Sequence, residues 1–363
     1  VRPSLLLAIL TSAQLALLGC TAVLIESNDV GGSEAETAQT SESSDGDTDT
    51  GDTGDGDGDG DGDTDGGDGD DGDGDGDPSR FRVVVIADLH VPGPDYTGDD
   101  DSLLLARERL LETRDQIAAI EPPPAFVVVL GDLVHEAYGS DDLVWYQTNA
   151  NAFAEVSEIF DGFGIPVYPL YGDSDYDVPT TPKTFSHQVF AQIFATDPYY
   201  TVDHLGWRFV FANSQYGQTY DKGTNIYDPA LGSFGSTQLT WIGDQFSAGM
   251  PTVLLSHFPL YTLALDEAPN NGPYPDLETV LKADGESVAL VLSGHDQQWT
   301  NLPATYAAPH IVFGSTRYDS DNFLLIEFTA NALQYEILDL AKVGWGTQEA
   351  ETWIYDGTPM PAG

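Results

Sequence analysis

Five apolar runs in this chain stop in the same way, on an aspartate or a histidine placed where the run gives out. They are FRVVVIADLH (Phe81 to His90), AFVVVLGDLVHE, GIPVYPLYGDSD, MPTVLLSHFPLY and VALVLSGHDQQW. Each has the length and composition of a buried strand. Between the first two, DSLLLARERLLETRDQIAAI carries Leu104, Leu111, Ile117 and Ile120 near helical spacing, with Asp101 or Ser102 to cap its start. After the Pro122-Pro123-Pro124 break and the second strand, LVWYQTNANAFAEVSEIF reads as another helix. Strand, helix, strand, helix, strand is a βαβαβ plan, and open sheets of this kind bind ligands at the carboxyl ends of their strands.

The middle of the chain departs from that rhythm. YYTVDHLGWRFVFANSQ reads as a hairpin turning at His204-Leu205-Gly206, and STQLTWIGDQF as a short helix. HIVFGS, NFLLIEF and ALQYEIL read as closing strands, the last two joined by Thr329-Ala330-Asn331. The expectation is an α/β fold of two facing mixed β-sheets with helices outside, a four-layer α/β/β/α sandwich. No solenoid-type repeat and no second folded domain are visible.

The amino-terminal part cannot join that fold. From Thr21 to Asp77 the chain carries 21 of its 60 acidic residues and no Lys or Arg, mostly as alternating Asp and Gly. Such a stretch has nothing to bury and repels itself, so it reads as an extended, disordered spacer. Its D-x-D-x-D-G pattern resembles the start of an EF-hand loop, but the flanking helices and the glutamate at position twelve are missing. The remaining 39 acids face 11 bases, a net charge of about −28 that argues against binding a nucleic-acid backbone.

Residues 1–20, VRPSLLLAILTSAQLALLGC, carry Arg2, an apolar stretch from Leu5 to Leu18, then Gly19-Cys20. That stretch is shorter than the roughly 20 residues a spanning helix needs, which points to a secretory signal. Leu17-Leu18-Gly19-Cys20 resembles the lipobox of bacterial lipoproteins, in which cleavage before the cysteine leaves a lipidated terminus. Cys20 is the chain's single cysteine, so no intrachain disulfide can form. The expected organisation is a signal peptide (1–20), an acidic linker (21–79), a folded domain (80–340) and a carboxyl-terminal tail (341–363). The protein would be a monomer anchored through Cys20 to a membrane of the bacterial cell envelope, facing periplasm or exterior.

Any one of the five strand ends is a weak signal, because a His after an apolar run is usually structural and Gly-Asp is a common turn. Together they set out Asp88-Leu89-His90, Gly131-Asp132, Gly172-Asp173-Ser174-Asp175, Ser256-His257 and Gly294-His295-Asp296-Gln297. In that order they resemble the calcineurin-like metallophosphoesterases, a superfamily that includes purple acid phosphatases, cyclic-nucleotide phosphodiesterases and Ser/Thr phosphatases. The family series is D-x-H, G-D, G-N-H-D/E, a lone His, and G-H-x-H, and the resemblance runs over about residues 81 to 340. QLTWIGDQF is similar to the family's Q-x-x-W-L helix.

The resemblance implies a site for one or two divalent or trivalent metal ions, Zn, Fe or Mn, acting on a phosphate mono- or diester through a metal-bound hydroxide. Asp88 and His90 would hold the first ion, Asp132 would bridge, and Asp173, His257 and His295 would hold the second. Imidazole and carboxylate without thiolate suit those metals.

Three positions depart from the pattern. Asp173 stands where the family has Asn, Gln297 stands at the second His of G-H-x-H, and Ser174 stands where the family's phosphoryl-binding, proton-donating His would be. A serine hydroxyl is no acid near neutral pH, and losing general-acid help typically costs about 10² to 10⁴ in rate. Asp175, which in the family orients that His, would be released for other work, and His187, placed in a loop, is a substitute that could reach the site. Asp177 reads as a turn residue, and His135, His204 and His310 as ordinary structural or surface histidines. Two expectations follow: an exported metal-dependent phosphoesterase, or a catalytically impaired protein of the same fold that binds or scaffolds.

Overall fold

The computed structural model describes residues 79–135, 138–176, 183–217, 220–221, 226–227, 232–247, 249–260, 262–263, 288–302, 308–332, 334–338 and 353–355. The signal and lipobox reading, the acidic spacer up to residue 78, and Asp177 lie outside these residues.

The chain enters as β1 (Arg80–Ile86), continues through the short β2 (Val91–Pro92), then α1 (Asp101–Leu104) and α2 (Ala106–Ala118). β3 (Phe126–Val129) and β4 (Val134–His135) follow, then α3 (Trp145–Thr148), α4 (Ala152–Asp161) and β5 (Val167–Pro169). A 3₁₀ turn at Ser174–Tyr176 precedes α5 (Lys183–Phe194) and the hairpin β6 (Tyr200–His204) and β7 (Trp207–Ala212). After the small pair β8 (Tyr220–Asp221) and β9 (Ile226–Tyr227) come α6 (Gly235–Phe246), β10 (Thr252–Ser256), β11 (Val288–Ser293), β12 (Thr300–Leu302) and β13 (His310–Val312). β14 (Phe323–Thr329), β15 (Tyr335–Leu338) and β16 (Trp353–Tyr355) end the described chain.

Two six-stranded sheets result, ordered β16-β15-β14-β1-β3-β5 and β12-β13-β11-β10-β7-β6. In the first, β1, β3 and β5 run parallel and β14 pairs antiparallel to β1. In the second, β7, β10, β11 and β13 run parallel, with β6 and β12 antiparallel at the edges. Both sheets are therefore mixed.

Period-two alternation decides which face each side chain takes. Val83, Val85, Phe126 and Val128 of the first sheet pack in one cluster with Phe209, Phe211, Val253 and Leu255 of the second, forming the layer between the sheets. Their neighbours Val84, Ile86, Val127 and Val129 turn the other way, onto Leu110 and Ile117 of α2, Phe153 and Val156 of α4, and Val189 and Phe190 of α5. On the far side, Val210, Leu254 and Val291 meet Leu239, Ile242 and Phe246 of α6. This is the four-layer α/β/β/α sandwich, and each fully buried aliphatic or phenyl side chain in it contributes about 1.5–3 kcal/mol.

Local details differ from the sequence reading. The stretch after β2 is two helices broken at Leu105, and its cap is Asp100, whose carboxylate accepts from the Ser102 N–H at 2.9 Å. The second helical stretch is also split: Asn149 is extended, and Asn151 caps α4 by accepting from the Ala154 N–H at 2.9 Å. The hairpin turn is Leu205-Gly206, since His204 pairs with Trp207 inside the ladder. β16, paired antiparallel to β15, falls in the stretch read as a tail.

Candidate metal centre

The parallel strands of both sheets end at one place. Past β1 the chain gives Asp88 and His90, past β3 Asp132, past β5 Asp173, and past β10 and β11 His257 and His295. The ends are stitched by backbone bonds: Asp88 N–H to the Gly131 carbonyl at 3.1 Å, His90 N–H to the Asp132 carbonyl at 2.8 Å, and Gly294 N–H to the His257 carbonyl at 2.9 Å. They approach so closely that a Cβ on Gly172 would stand 2.1 Å from Asp132 Oδ1. Only glycine fits there, which is the physical reason for a Gly ahead of Asp173.

Five of these residues have left-handed backbone: Asp88 (φ 53°), His90 (47°), Asp132 (50°), His295 (69°) and Gln297 (55°). A non-glycine residue in that region costs about 1–3 kcal/mol and persists where its surroundings over-determine it. Here the converging strand ends and their stitching do so.

Two groups of three ligand-type side chains result. One ligand atom each from Asp88, His90 and Asp132 lie within 4.8 Å of one another, and so do those of Asp173, His257 and His295. Asp132 joins the groups: its Oδ2 is 3.2 Å from His90 Nε2 and its Oδ1 is 3.3 Å from His257 Nε2. Asp173 Oδ1 stands 3.1 Å from His257 Nε2 and 3.2 Å from His295 Nδ1. Asp88 accepts the His295 N–H on its carboxylate at 3.2 Å. Gln297 lies beside the first group, its Nε2 2.9 Å from His90 Nε2. The six residues that the resemblance implies as ligands thus meet at one centre, with Gln297 beside them at the place of the pattern's second His. It opens toward Asp173 and His295, whose side chains keep 16% and 21% of their exposure while Asp88 keeps none.

The donor chemistry fits cations. The Nδ1–H of His257 donates to the Leu130 carbonyl at 2.7 Å, which leaves the Nε2 lone pair facing two carboxylate oxygens. Lone pair against carboxylate is repulsive unless a proton or a metal ion lies between. The ionisation of the cluster carries the same message. Burial pushes Asp88 well above the usual carboxylate range, reinforced by Asp132 and Asp173 and opposed by His257. Burial would lower His257, yet Asp132, Asp173 and Asp88 around it hold it well above an ordinary imidazole. Asp132, raised by burial, is pulled below its usual value by His257 and His90. Burial takes His90 down to about 4 against the pull of Asp132. Buried acids at this density require positive charge, and a divalent ion supplies it while using the imidazole lone pairs as ligands.

Ser174 and Asp175 have different neighbours from those expected of a catalytic pair. Ser174 donates to Asp132 twice, from its N–H to Oδ1 at 2.9 Å and from its hydroxyl to Oδ2 at 3.1 Å. Asp175 is fully buried and engaged rather than released: Oδ1 accepts from the N–H groups of Leu133 (2.9 Å) and Val134 (3.2 Å), and Oδ2 from Gly172 (2.8 Å). It ties the loop carrying Asp132 to the loop carrying Asp173, a positioning role. His187 is corrected more strongly. It sits on α5 with Nε2 2.6 Å from the Tyr176 hydroxyl and its ring stacked on Tyr216 at 5.7 Å, and it belongs to neither ligand group. His310 is buried against the Ser293 hydroxyl at 3.0 Å and His204 packs on Phe81, both structural; His135 instead lies edge-on to His90, ring centres 6.0 Å apart.

Sequence reasoning missed two supports. Phe258 stacks on the His295 ring at 3.8 Å, and the Ser315 hydroxyl donates to the Asp88 carbonyl at 2.7 Å. Phe258 follows a proposed ligand directly, so adjacency was an available signal; Ser315 carries none.

Asp175→Ala leaves three buried N–H groups without an acceptor, each costing about 1–3 kcal/mol. We expect a lower melting temperature and Zn or Mn binding weakened by about 10- to 100-fold, read by chelator competition. Unchanged metal affinity would remove the positioning role.

The chain is similar to known proteins in its sequence pattern and in its fold. A family model for calcineurin-like phosphoesterases matches residues 81–298, more than half of the chain. Among solved structures, a dimetal phosphatase from Danio rerio is similar in fold with a TM-score of 0.53 at 17% identity, over 77% of this chain and 99% of that one. A purple acid phosphatase from yellow lupin (Lupinus luteus) seeds aligns with a TM-score of 0.48 at 15% identity, over 76% of this chain and 53% of that one. No curated protein matches the sequence. With the family series laid out along residues 81–298, the chain belongs to the calcineurin-like phosphoesterases, a family of metal-dependent phosphoester hydrolases.

Proposed function

We propose that this protein is an exported, lipid-anchored phosphoesterase that hydrolyses phosphate mono- or diesters at the centre formed around Asp132. The observation that carries the reading is the sharing of the Asp132 carboxylate between two ligand groups, His90 on Oδ2 and His257 on Oδ1. Asp88, His90 and Asp132 would hold one ion, and Asp132, Asp173, His257 and His295 the other, with Zn, Fe or Mn matching the imidazole and carboxylate donors. Such ions supply Lewis acidity toward a phosphoryl oxygen and toward water. The protein's own side chains do the rest. Ser174 fixes the rotation of the Asp132 carboxylate through two hydrogen bonds, and Phe258 holds the His295 ring flat. Asp173 and His295, which retain partial exposure, would face the side from which an ester arrives.

Hydrolysis of 4-nitrophenyl phosphate or bis(4-nitrophenyl) phosphate should need added Mn, Zn or Fe and fall to background in Asp132→Asn. Activity that survives this substitution would remove the reading.

A second reading has specific observations behind it. The Ser174 hydroxyl is occupied by Asp132 and Gln297 fills the place of a His, so the protein could bind esters and metal with its chemistry impaired. Ser174→His, alone and with Asp173→Asn, separates the two. A rise of about 10² or more on 4-nitrophenyl phosphate, whose leaving group needs no proton, would report a restored contact to the phosphoryl group rather than acid help, and supports impairment. An unchanged rate there removes it.

The envelope location rests on the lipobox at Cys20 and on the acidic spacer, which would hold the domain away from the membrane. Expressed in a bacterium, the full chain should partition with membranes and take up labelled fatty acid, and Cys20→Ser should do neither. A Cys20→Ser protein that stays membrane-bound and labelled would overturn the anchor.

A further inference from the structure

Three polar side chains that touch no ligand atom of the centre are buried on an apolar face. Ser256 at the end of β10, Ser293 at the end of β11 and His310 at the start of β13 neighbour one another on the second sheet, Ser256 paired with Ser293 and His310 with Val291. By period-two alternation they share the face on which Leu254 and Val291 meet α6. All three are fully buried. Aliphatic side chains would pack there with no polar group to satisfy.

Their hydrogen bonds run in one direction. The Ser256 hydroxyl donates to the Phe258 carbonyl at 2.8 Å, since a carbonyl only accepts. Its single proton is thereby used, so in the 3.1 Å contact between the Ser256 and Ser293 hydroxyls the donor is Ser293. Ser293 then has no proton left for His310, 3.0 Å away, and the ring donates from Nε2. His310, Ser293, Ser256 and the Phe258 carbonyl thus form one chain of fixed polarity, in which each bond strengthens the next. Burial takes His310 down to about 3, so its ring is neutral and acts on its surroundings by position rather than by charge.

The chain ends on the residue that packs against the centre. The Phe258 N–H donates to the Ser214 hydroxyl at 3.2 Å, so its backbone is held on both sides. Its ring stacks on His295 at 3.8 Å and stands edge-on to His257 at 5.7 Å. These two imidazoles are oriented by different means. His257 donates to the Leu130 carbonyl at 2.7 Å, whereas the His295 ring has Asp173 at 3.2 Å and, among the described residues, no backbone carbonyl. An imidazole ligand without such a partner depends on packing for its orientation, and Phe258 supplies that packing.

We infer that His310 is a positioning residue for the centre: through Ser293 and Ser256 it fixes the Phe258 backbone, and Phe258 holds the His295 ring in place for a metal ion. This deepens the metal-dependent reading above and rests on it. With the other tautomer, Ser293 would donate to His310 Nε2 and Ser256 would turn to Ser293. The Phe258 carbonyl would then lose its donor.

The test uses the full chain, stripped of metal and titrated with Zn under chelator competition. His295→Ala identifies the ion held by the second ligand group. His310→Leu, which cannot head the chain, should weaken that ion by about tenfold and leave any other within about twofold. His310→Gln, whose amide can donate in place of Nε2–H, should restore the affinity. Because His310→Leu could fail to fold, Ser256→Ala is titrated beside it, with the same selective weakening expected. Nitrogen NMR of the unaltered, histidine-labelled chain reads the His310 tautomer directly, expected as Nε2–H. Equal weakening of both ions, unchanged affinity with only a lower melting temperature, no recovery in His310→Gln, or an Nδ1–H tautomer overturns the inference. An unaltered chain that binds no Zn, or binds it as His295→Ala does, defeats the metal centre itself and is distinguishable from these.

Discussion

The Asp132 carboxylate is the contact on which the rest of the site depends. One oxygen faces His90, the other faces His257, and both accept hydrogen bonds from Ser174. A carboxylate used on every side has no freedom to rotate, so the loops bearing its partners must be placed to a fraction of an ångström. Asp175 does part of this by bonding Leu133, Val134 and Gly172 at once, and the β1, β3 and β5 ladder does the rest. The sheets are held face to face by the apolar layer between them. The site is thus an expensive concentration of buried charge mounted on a scaffold whose stability comes from elsewhere.

That division explains why strain gathers at the centre. Of the residues with left-handed backbone other than glycine, Asp88, His90, Asp132, His295 and Gln297 all belong to it. A strand that ended in an ordinary turn would carry its terminal side chain along the sheet; a single left-handed residue swings it inward instead. The cooperative ladders of two six-stranded sheets can absorb several such costs, of about 1–3 kcal/mol each, without losing the fold.

The strand ends were legible because burial is written in the sequence as apolar runs, and the residue that stops each run is visible. Two facing sheets and the helices outside could therefore be expected from Phe81 onward, while the ligand set at one centre came from the resemblance of the five strand ends to the family series. Other features were not legible, for identifiable reasons. The helix break at Leu105 and the extended Asn149 depend on what α1 and α3 pack against, which no local propensity encodes. The left-handed conformations at Asp88 and His90 carry no glycine to announce them. Asp175 looked available because its family partner is absent, yet its acceptors' demand is for backbone amides, which are invisible in a sequence. His187 was expected in a loop, whereas it lies on α5 with its ring against Tyr176 and Tyr216.

Gln297 shows what the scaffold preserves and what it does not. It has left-handed backbone (φ 55°) and stands against His90 at 2.9 Å, in the sequence position where the family pattern has a histidine. Ser174 offers Asp132 a hydroxyl. What changes is charge and proton supply: two titratable imidazoles of the pattern become a neutral amide and a hydroxyl, while Asp173 adds a carboxylate where the pattern has an amide. The centre is therefore more anionic and poorer in acid than the family pattern. A more anionic centre holds cations more firmly and blunts their Lewis acidity; one poorer in acid favours substrates whose leaving group departs without a proton. Both tendencies follow from three side chains, with the fold around them unaltered.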